Sequence, residues 1–146
     1  MLDMFDRDVM RNSIDEFFSI YANRPVRDNS GGIQVNHAWA TWFIVSFLKP
    51  SLIVESGVWK GLSTWILRQA SPDATILSFD IDFRNLVFKD PNAIYHQGDL
   101  CEFDFSKWNL DNSLAFVDDH QNALKRIKDL KYIGINRIIF EDNFPI

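Results

Sequence analysis

The order of apolar and polar positions divides the chain into helix-like and strand-like segments. Residues 8–21 have apolar side chains at roughly helical spacing. A second, almost entirely apolar segment at 37–49 is predicted to be a buried helix, capped by Asn36 and ended by Pro50. The segment between these two helices is loop-like and has two adjacent glycines, so we expect it to be mobile.

From residue 51 onwards, short apolar runs alternate with helix-like runs. Strand-like runs lie at 51–55, 75–80, 93–97, 113–118 and 136–142, and helix-like runs lie at 61–70 and 120–130. The strand-like runs are near-continuously apolar rather than alternating, which is typical of strands with both faces of the sheet covered. The alternation predicts an α/β fold: a Rossmann-like parallel sheet of about five strands with helices on both faces.

Length and composition limit the kinds of domain organisation, partner and cellular compartment that the sequence predicts. A chain of 146 residues predicts one domain, with an N-terminal helix and loop at 1–35 and a Rossmann-like core at 36–146. The net charge of −5 and the lack of basic clusters favour a small-molecule substrate over nucleic acid or a membrane surface. The longest apolar stretch is interrupted by Lys49 and Pro50, and Cys101 is the one cysteine, so we expect a cytoplasmic protein without disulfides.

Polar or acidic groups follow each predicted strand. They are Glu55, Asp80, Gly98 with Asp99, Asp118 with Asp119, and Glu141 with Asp142 and Asn143. The carboxyl ends of parallel strands meet at one edge of a sheet, and open α/β sheets bind their ligands there. The sequence therefore predicts a ligand site assembled from these loops.

The first two strand ends indicate what the ligand is. Gly57 and Gly61 allow a tight turn and a close backbone approach between a strand and a helix, although turn geometry alone also accounts for such glycines. Glu55 precedes them and would repel a phosphate, so it favours an amino-bearing ligand. An acid in the position of Asp80 typically binds a pair of ribose hydroxyls, whereas an acid at this point is otherwise a helix cap.

These motifs resemble those of class I S-adenosylmethionine-dependent methyltransferases over roughly residues 36–146. ESGVWKGLST is similar to the glycine-rich first motif of that family, which implies cofactor contacts from Glu55, Gly57, Trp59, Gly61 and Ser63. Asp80 matches the residue that binds the ribose hydroxyls, and Gly98, Asp99 and Leu100 match the loop beside the adenine. The resemblance also implies strand order 3-2-1-4-5. Packing is the alternative role for Trp59.

The second half of the chain resembles the catechol O-methyltransferase type within that superfamily. The resemblance implies a divalent cation, Mg²⁺, held by Asp118, Asp142 and Asn143, with Asp119 as a register alternative to Asp118. It implies metal-assisted O-methyl transfer to a small hydroxylated acceptor. The catechol type has a lysine base after its first metal ligand, and His120 is the candidate for that role here, with a structural role as its alternative.

The resemblance stops at the fifth strand. The sheet of the family continues with a β-hairpin that this sequence lacks, so the chain is expected to be truncated and its fifth strand to be an open edge. Because proteins seldom leave an apolar edge unpaired, we expect a homo-oligomer through that edge. The alternative function is a non-catalytic relative that binds only the cofactor or a metal.

Overall fold

The structure is a computed structural model, and it describes residues 6–141. Its helices are α1 (Arg7–Tyr21), α2 (Val35–Leu48), α3 (Leu62–Ala70) and α4 (Ala123–Ile133). Its strands are β1 (Leu52–Ser56), β2 (Thr75–Asp80), β3 (Ala93–Gln97), β4 (Ser113–Val117) and β5 (Ile138–Phe140). Two short 3-10 helices between β3 and β4, Leu100–Glu102 and Phe105–Lys107, were not predicted from the sequence. Within this range no helix is long and apolar enough to cross a membrane.

The sheet has the predicted topology. Its described strands are all parallel and lie in the order β3-β2-β1-β4-β5. Every residue of the central strand β1 is buried, and its neighbouring residues Ile53 and Val54 belong to two different apolar clusters. Successive side chains of a strand point to opposite faces, so both faces of the sheet are covered. This coverage is why the strand segments are continuously apolar, and the Rossmann-like α/β fold is confirmed.

The cap predicted for α2 is wrong. The helix begins at Val35, and extended Gln34 occupies the cap position without a side-chain cap hydrogen bond. Asn36 therefore lies inside the first turn. At the other end, Lys49 adopts a left-handed conformation with φ 46°, which stops the helix just before Pro50 as predicted.

The start of α4 also differs from its prediction. The helix begins at Ala123, because Asn122 is its cap and accepts a hydrogen bond from the Lys125 N–H at 2.9 Å. His120, the predicted first helical residue, is left-handed with φ 56° and is incompatible with a right-handed helix. Residues 118–122 are consequently a loop, and this loop borders the carboxyl edge of the sheet.

Candidate functional site

A cavity of about 380 Å³ lies at the carboxyl edge of the sheet, where the sequence predicts a ligand site. Its wall includes the predicted residues Gly57, Trp59, Asp80, Gly98, Asp99, Asp118, Asp119 and His120. These residues follow β1, β2, β3 and β4, so four strand ends contribute to one cavity. Of the other predicted residues within the described range, Glu55, Gly61, Ser63 and Leu100 are not part of this wall.

Glycine is required at position 57 by the approach of two loops. Gly57 has φ 91°, and its N–H donates to the carbonyl oxygen of Phe79 at 2.9 Å. A Cβ atom at this position would collide with the carbonyl oxygen of Asp118. The turn after β1 and the loop after β4 therefore touch through their backbones, and only glycine permits this approach.

Asp80 stabilises the glycine-rich turn from the end of β2. Its Oδ2 atom accepts hydrogen bonds from the N–H groups of Val58 at 2.8 Å and Trp59 at 3.1 Å. Its Oδ1 atom accepts one from the N–H of Asp82 at 3.0 Å. The carboxylate thus lies on the cavity wall with its position fixed by three backbone donors. Ribose binding by this group stays a prediction.

Glu55 lies behind the turn, inside the core. Its side chain is fully buried and accepts hydrogen bonds from the hydroxyls of Ser63 at 2.6 Å, Thr64 at 2.7 Å and Ser78 at 2.6 Å. Burial raises the pKa of Glu55, while the three hydroxyl donors oppose that increase. The carboxylate connects β1 to the first turn of α3 and to β2. In this structure it therefore stabilises the glycine-rich turn between β1 and α3.

Trp59 connects the glycine-rich turn to the loop between α1 and α2. Its indole Nε1–H donates to the carbonyl oxygen of Ser30 at 3.1 Å, and its ring lies 3.7 Å from the position that a Cβ at Gly31 would occupy. Next to it, the Lys60 ammonium donates to the carbonyl oxygen of Asp28 at 2.9 Å. Trp59 therefore packs against the loop and also lines the cavity, while cofactor contact by Trp59 stays a prediction.

A second cleft of about 570 Å³ adjoins the first across the Ser30–Gly31 backbone. Its wall includes the apolar side chains Phe18, Tyr21, Ile33 and Val35 and the cations Arg24 and Arg27. The Arg24 guanidinium stacks on the Tyr21 ring, 4.4 Å from its centroid. Arg27 is exposed and makes no hydrogen bond or ion pair with any other residue in the range 6–141. The cleft thus combines an apolar wall with an available positive charge.

The loop after β4 presents two adjacent carboxylates, Asp118 and Asp119. Asp119 Oδ2 accepts hydrogen bonds from Ser56 Oγ at 2.6 Å and from Arg126 Nε at 2.8 Å. Its Oδ1 atom accepts one from the Gln121 N–H at 3.1 Å. The backbone N–H of Asp118 donates to the carbonyl oxygen of Ser56, and Asp118 lies on the cavity wall. Both carboxylates therefore border the same cavity.

The predicted metal ligands are only partly covered by the structure. Asp142 and Asn143 lie outside the described residues, so the proposed set of three ligands is not assessed by this geometry. Among residues 6–141, no group of three or more His, Cys, Asp or Glu side chains is arranged to hold a metal ion. The last described residue, Glu141, follows β5, and its carboxylate lies 2.7 Å from His37 Nδ1 at the start of α2.

Arg126 is a site residue that the sequence interpretation missed. It lies on the cavity wall, with only 3% of its side chain exposed, and binds Asp99 on one side and Asp119 on the other. In the sequence it belongs to KRIKDL, which is typical of a solvated helix. The sequence offered one signal that Arg126 is buried: it lies four residues before Leu130, and residues four apart share a helix face. Both residues are buried here.

Comparison with known proteins gives likeness in structure without likeness in sequence. No protein-family model matches the chain, and no curated protein matches it in sequence. CmcI in complex with SAH has a TM-score of 0.64 and 21% identity, over 76% of this chain and 62% of that one. The SAH-bound Podospora anserina methyltransferase PaMTH1 has a TM-score of 0.60 and 16% identity, over 97% and 72%. The Bacillus cereus O-methyltransferase in complex with SAH has a TM-score of 0.60 and 15% identity, over 92% and 66%.

These matches show the fold. It is the fold of S-adenosylmethionine-dependent methyltransferases, as the sequence resemblance implied. A structure of CmcI with Mg and SAM is also similar, with a TM-score of 0.59 and 22% identity over 75% of this chain. This chain spans between 52% and 62% of the length of the three CmcI structures, which is less than two thirds.

Proposed function

We propose that the protein is an S-adenosylmethionine-dependent methyltransferase that acts on a small hydroxylated acceptor with the help of a divalent cation, Mg²⁺. One observation supports this most strongly: the cavity at the sheet edge is built from the glycine-rich turn, the acid after β2 and the loop after β3. The fold is shared with solved structures of CmcI and PaMTH1 that contain SAH or SAM.

The residues of the cavity fit the cofactor. Gly57 lies on the cavity wall, and the carboxylate of Asp80, on the same wall, is the acceptor that we propose for the ribose hydroxyls. Gly98 and Asp99 lie on the wall where the resemblance implies adenine. When bound, S-adenosylmethionine supplies the methyl group on its sulfonium, and the protein contributes mainly the positioning of the two reactants.

Asp118 is the cation ligand that the resemblance implies, with Asp119 as its register alternative. Asp119 already accepts hydrogen bonds from Ser56, Gln121 and the buried Arg126, so binding a cation would compete with all three. Asp142 and Asn143 would supply further oxygen ligands, which suit Mg²⁺. A bound cation lowers the pKa of an acceptor hydroxyl. His120 lies on the same wall and is the proposed acceptor of the released proton.

We place the acceptor in the cleft beside the α1–α2 loop. This cleft adjoins the cofactor cavity across Ser30 and Gly31, and its apolar wall suits the body of a small aromatic or aliphatic molecule. The exposed guanidinium of Arg27 on the wall favours an acceptor that also has a carboxylate or another anionic group.

The proposal is tested by titrating the protein with S-adenosylmethionine in the presence and absence of Mg²⁺, followed by assays of SAH release with 3,4-dihydroxybenzoate as a probe acceptor. We expect binding, and a metal dependence that Asp118→Asn removes. Asp82→Asn is the control, because Asp82 pairs with Arg84 outside the cavity wall. Cofactor binding without any release of SAH from hydroxylated probes would instead fit the non-catalytic alternative. Absence of cofactor binding would contradict the proposal and also the cofactor-binding form of the alternative.

A further inference from the structure

A single arginine joins two loops of the candidate site. Arg126 donates from Nη1 and Nη2 to the two carboxylate oxygens of Asp99, at 3.0 Å and 2.6 Å. It donates from Nε to Oδ2 of Asp119 at 2.8 Å. Asp99 follows β3 and Asp119 follows β4, so these loops lie on opposite sides of β2 and β1 in the sheet order. The guanidinium therefore joins the two loops at the cavity wall.

Each of the two carboxylates also organises its own loop. Asp99 Oδ1 accepts a hydrogen bond from the Cys101 N–H at 2.8 Å and thereby caps the 3-10 helix that begins at Leu100. Asp119 accepts hydrogen bonds from the Gln121 N–H and from the hydroxyl of Ser56 at the end of β1. The guanidinium thus binds the two carboxylates that organise these turns. Through Asp119 it is also linked to Ser56, at the end of β1 just before the glycine-rich turn.

The energetics of this arrangement make the arginine hard to replace. A buried guanidinium is costly unless charged partners compensate for the lost hydration, and here two carboxylates do so. Without the guanidinium, Asp99 and Asp119 would leave two negative charges at one cavity with no cation between them. Repulsion between like charges would then favour separation of the loops. The bidentate pair with Asp99 also fixes orientation, which a point charge cannot do.

We propose that Arg126 is a positioning residue that preforms the adenine side of the cofactor site by holding residues 98–102 against the loop after β4. The inference rests on the proposed function, since it assigns that cavity to S-adenosylmethionine. Three N–H groups already point at the Asp99 carboxylate, so Asp99 acts by orienting its loop. The backbone of that loop then presents the adenine-binding surface.

The chain offers a matched control arginine. Arg68 on α3 is also largely buried, donates from Nε to Asp90 at 2.7 Å, and donates from Nη1 to the carbonyl oxygens of Pro72 and Ala74. It does not line the cavity. Arg126→Met and Arg68→Met both remove a guanidinium that is paired with carboxylate, yet only the first substitution affects the candidate site.

Hydrogen exchange of the ligand-free protein is the first readout. Arg126→Met is expected to accelerate exchange in residues 98–102 and 118–121 together, whereas Arg68→Met leaves both segments unchanged. Arg126→Lys keeps the buried charge but loses the bidentate geometry, so faster exchange in 98–102 is expected there also. Unchanged exchange in both segments for folded Arg126→Met and Arg126→Lys would overturn the proposal.

Affinity for SAH is the second readout, measured where all variants are folded. We expect Arg126→Met to weaken binding at least about tenfold and Arg68→Met to change it less than about twofold. Equal effects of the two substitutions would show that Arg126 acts only on stability, which contradicts the proposal. If the wild-type protein binds no SAH, the proposed function fails, and the exchange comparison still decides whether Arg126 positions the loops.

Discussion

At the scale of single residues, the site depends on carboxylates that bind other parts of the protein. Glu55, Asp80, Asp99 and Asp119 each accept hydrogen bonds from groups of the protein itself. Glu55 is the most buried of them, and its three hydroxyl partners lie on two other elements. In this sheet a strand-end acid is therefore a structural support as well as a candidate ligand.

Substitution of Glu55 separates these two roles. Glu55→Ala leaves three buried hydroxyls without their acceptor and is expected to reduce the free energy of unfolding by about 3 kcal/mol or more. Glu55→Gln keeps one acceptor oxygen for two of the hydroxyls, and its amide N–H can donate to the third. We therefore expect the free energy of unfolding to fall by only about 1 kcal/mol. Urea denaturation measures both. A large drop in cofactor affinity for stably folded Glu55→Gln would show that its charge contacts the ligand.

The pair of Arg126 and Asp99 predicts a pH dependence of stability. Hydrogen bonds from Arg126 hold the pKa of Asp99 well below its ordinary value. A lowered folded-state pKa contributes stability above the unfolded-state pKa, and this contribution is lost as the pH falls toward the folded-state value. Denaturation between neutral pH and about pH 3 measures this. We expect the difference in the free energy of unfolding between the wild type and Arg126→Met to become smaller as the pH falls. A difference that stays constant would contradict this assignment.

At the scale of elements, the strands were predicted well and the starts of α2 and α4 poorly, for physical reasons. Strands buried on both faces must be continuously apolar, and that pattern is visible without any tertiary information. The start of α4 is set by its Asn122 cap, whereas the left-handed backbone of His120 just before it has no local sequence signal. The buried side of α4 was missed because Arg126 is neutralised by partners that are distant in the sequence.

The loop between α1 and α2 is the element expected to determine acceptor preference. If the acceptor lies in the cleft beside Arg27, 3,4-dihydroxybenzoate should bind more tightly than its uncharged methyl ester in the presence of SAH. Arg27→Gln should remove most of that difference, because the ester forms no ion pair. Arg11→Gln is the control, as Arg11 is an exposed residue of α1 outside the cleft wall. A preference for the acid that persists in Arg27→Gln would place the acceptor elsewhere.

At the scale of the whole molecule, the alternation of elements was enough to predict the parallel sheet and the edge where its loops meet. Right-handed crossover connections leave few topologies for such an order of elements. The resemblance at the strand ends then specified the strand order. The predicted metal site cannot be compared with the structure in the same way, because Asp142 and Asn143 lie outside the described residues.

The edge of the sheet predicts self-association. Within residues 6–141, β5 pairs with β4 on one side only, and its residues Ile138, Ile139 and Phe140 are half-buried. Unpaired strand edges favour pairing with another chain, so we expect a homo-oligomer through β5. Light scattering during size-exclusion chromatography should give at least twice the mass of the chain. A monomer mass at every concentration tested would refute this expectation.

The most direct test of the central claim is the dissociation constant for SAH measured by isothermal titration. The wild type is expected to bind at one site per chain. Asp80→Asn should weaken binding at least about tenfold, because it removes the charged acceptor proposed for the ribose hydroxyls, whereas Asp82→Asn should leave affinity within about twofold. Absence of binding to the folded wild type, or equal affinity of Asp80→Asn and the wild type, would contradict the assignment of this cavity to the cofactor.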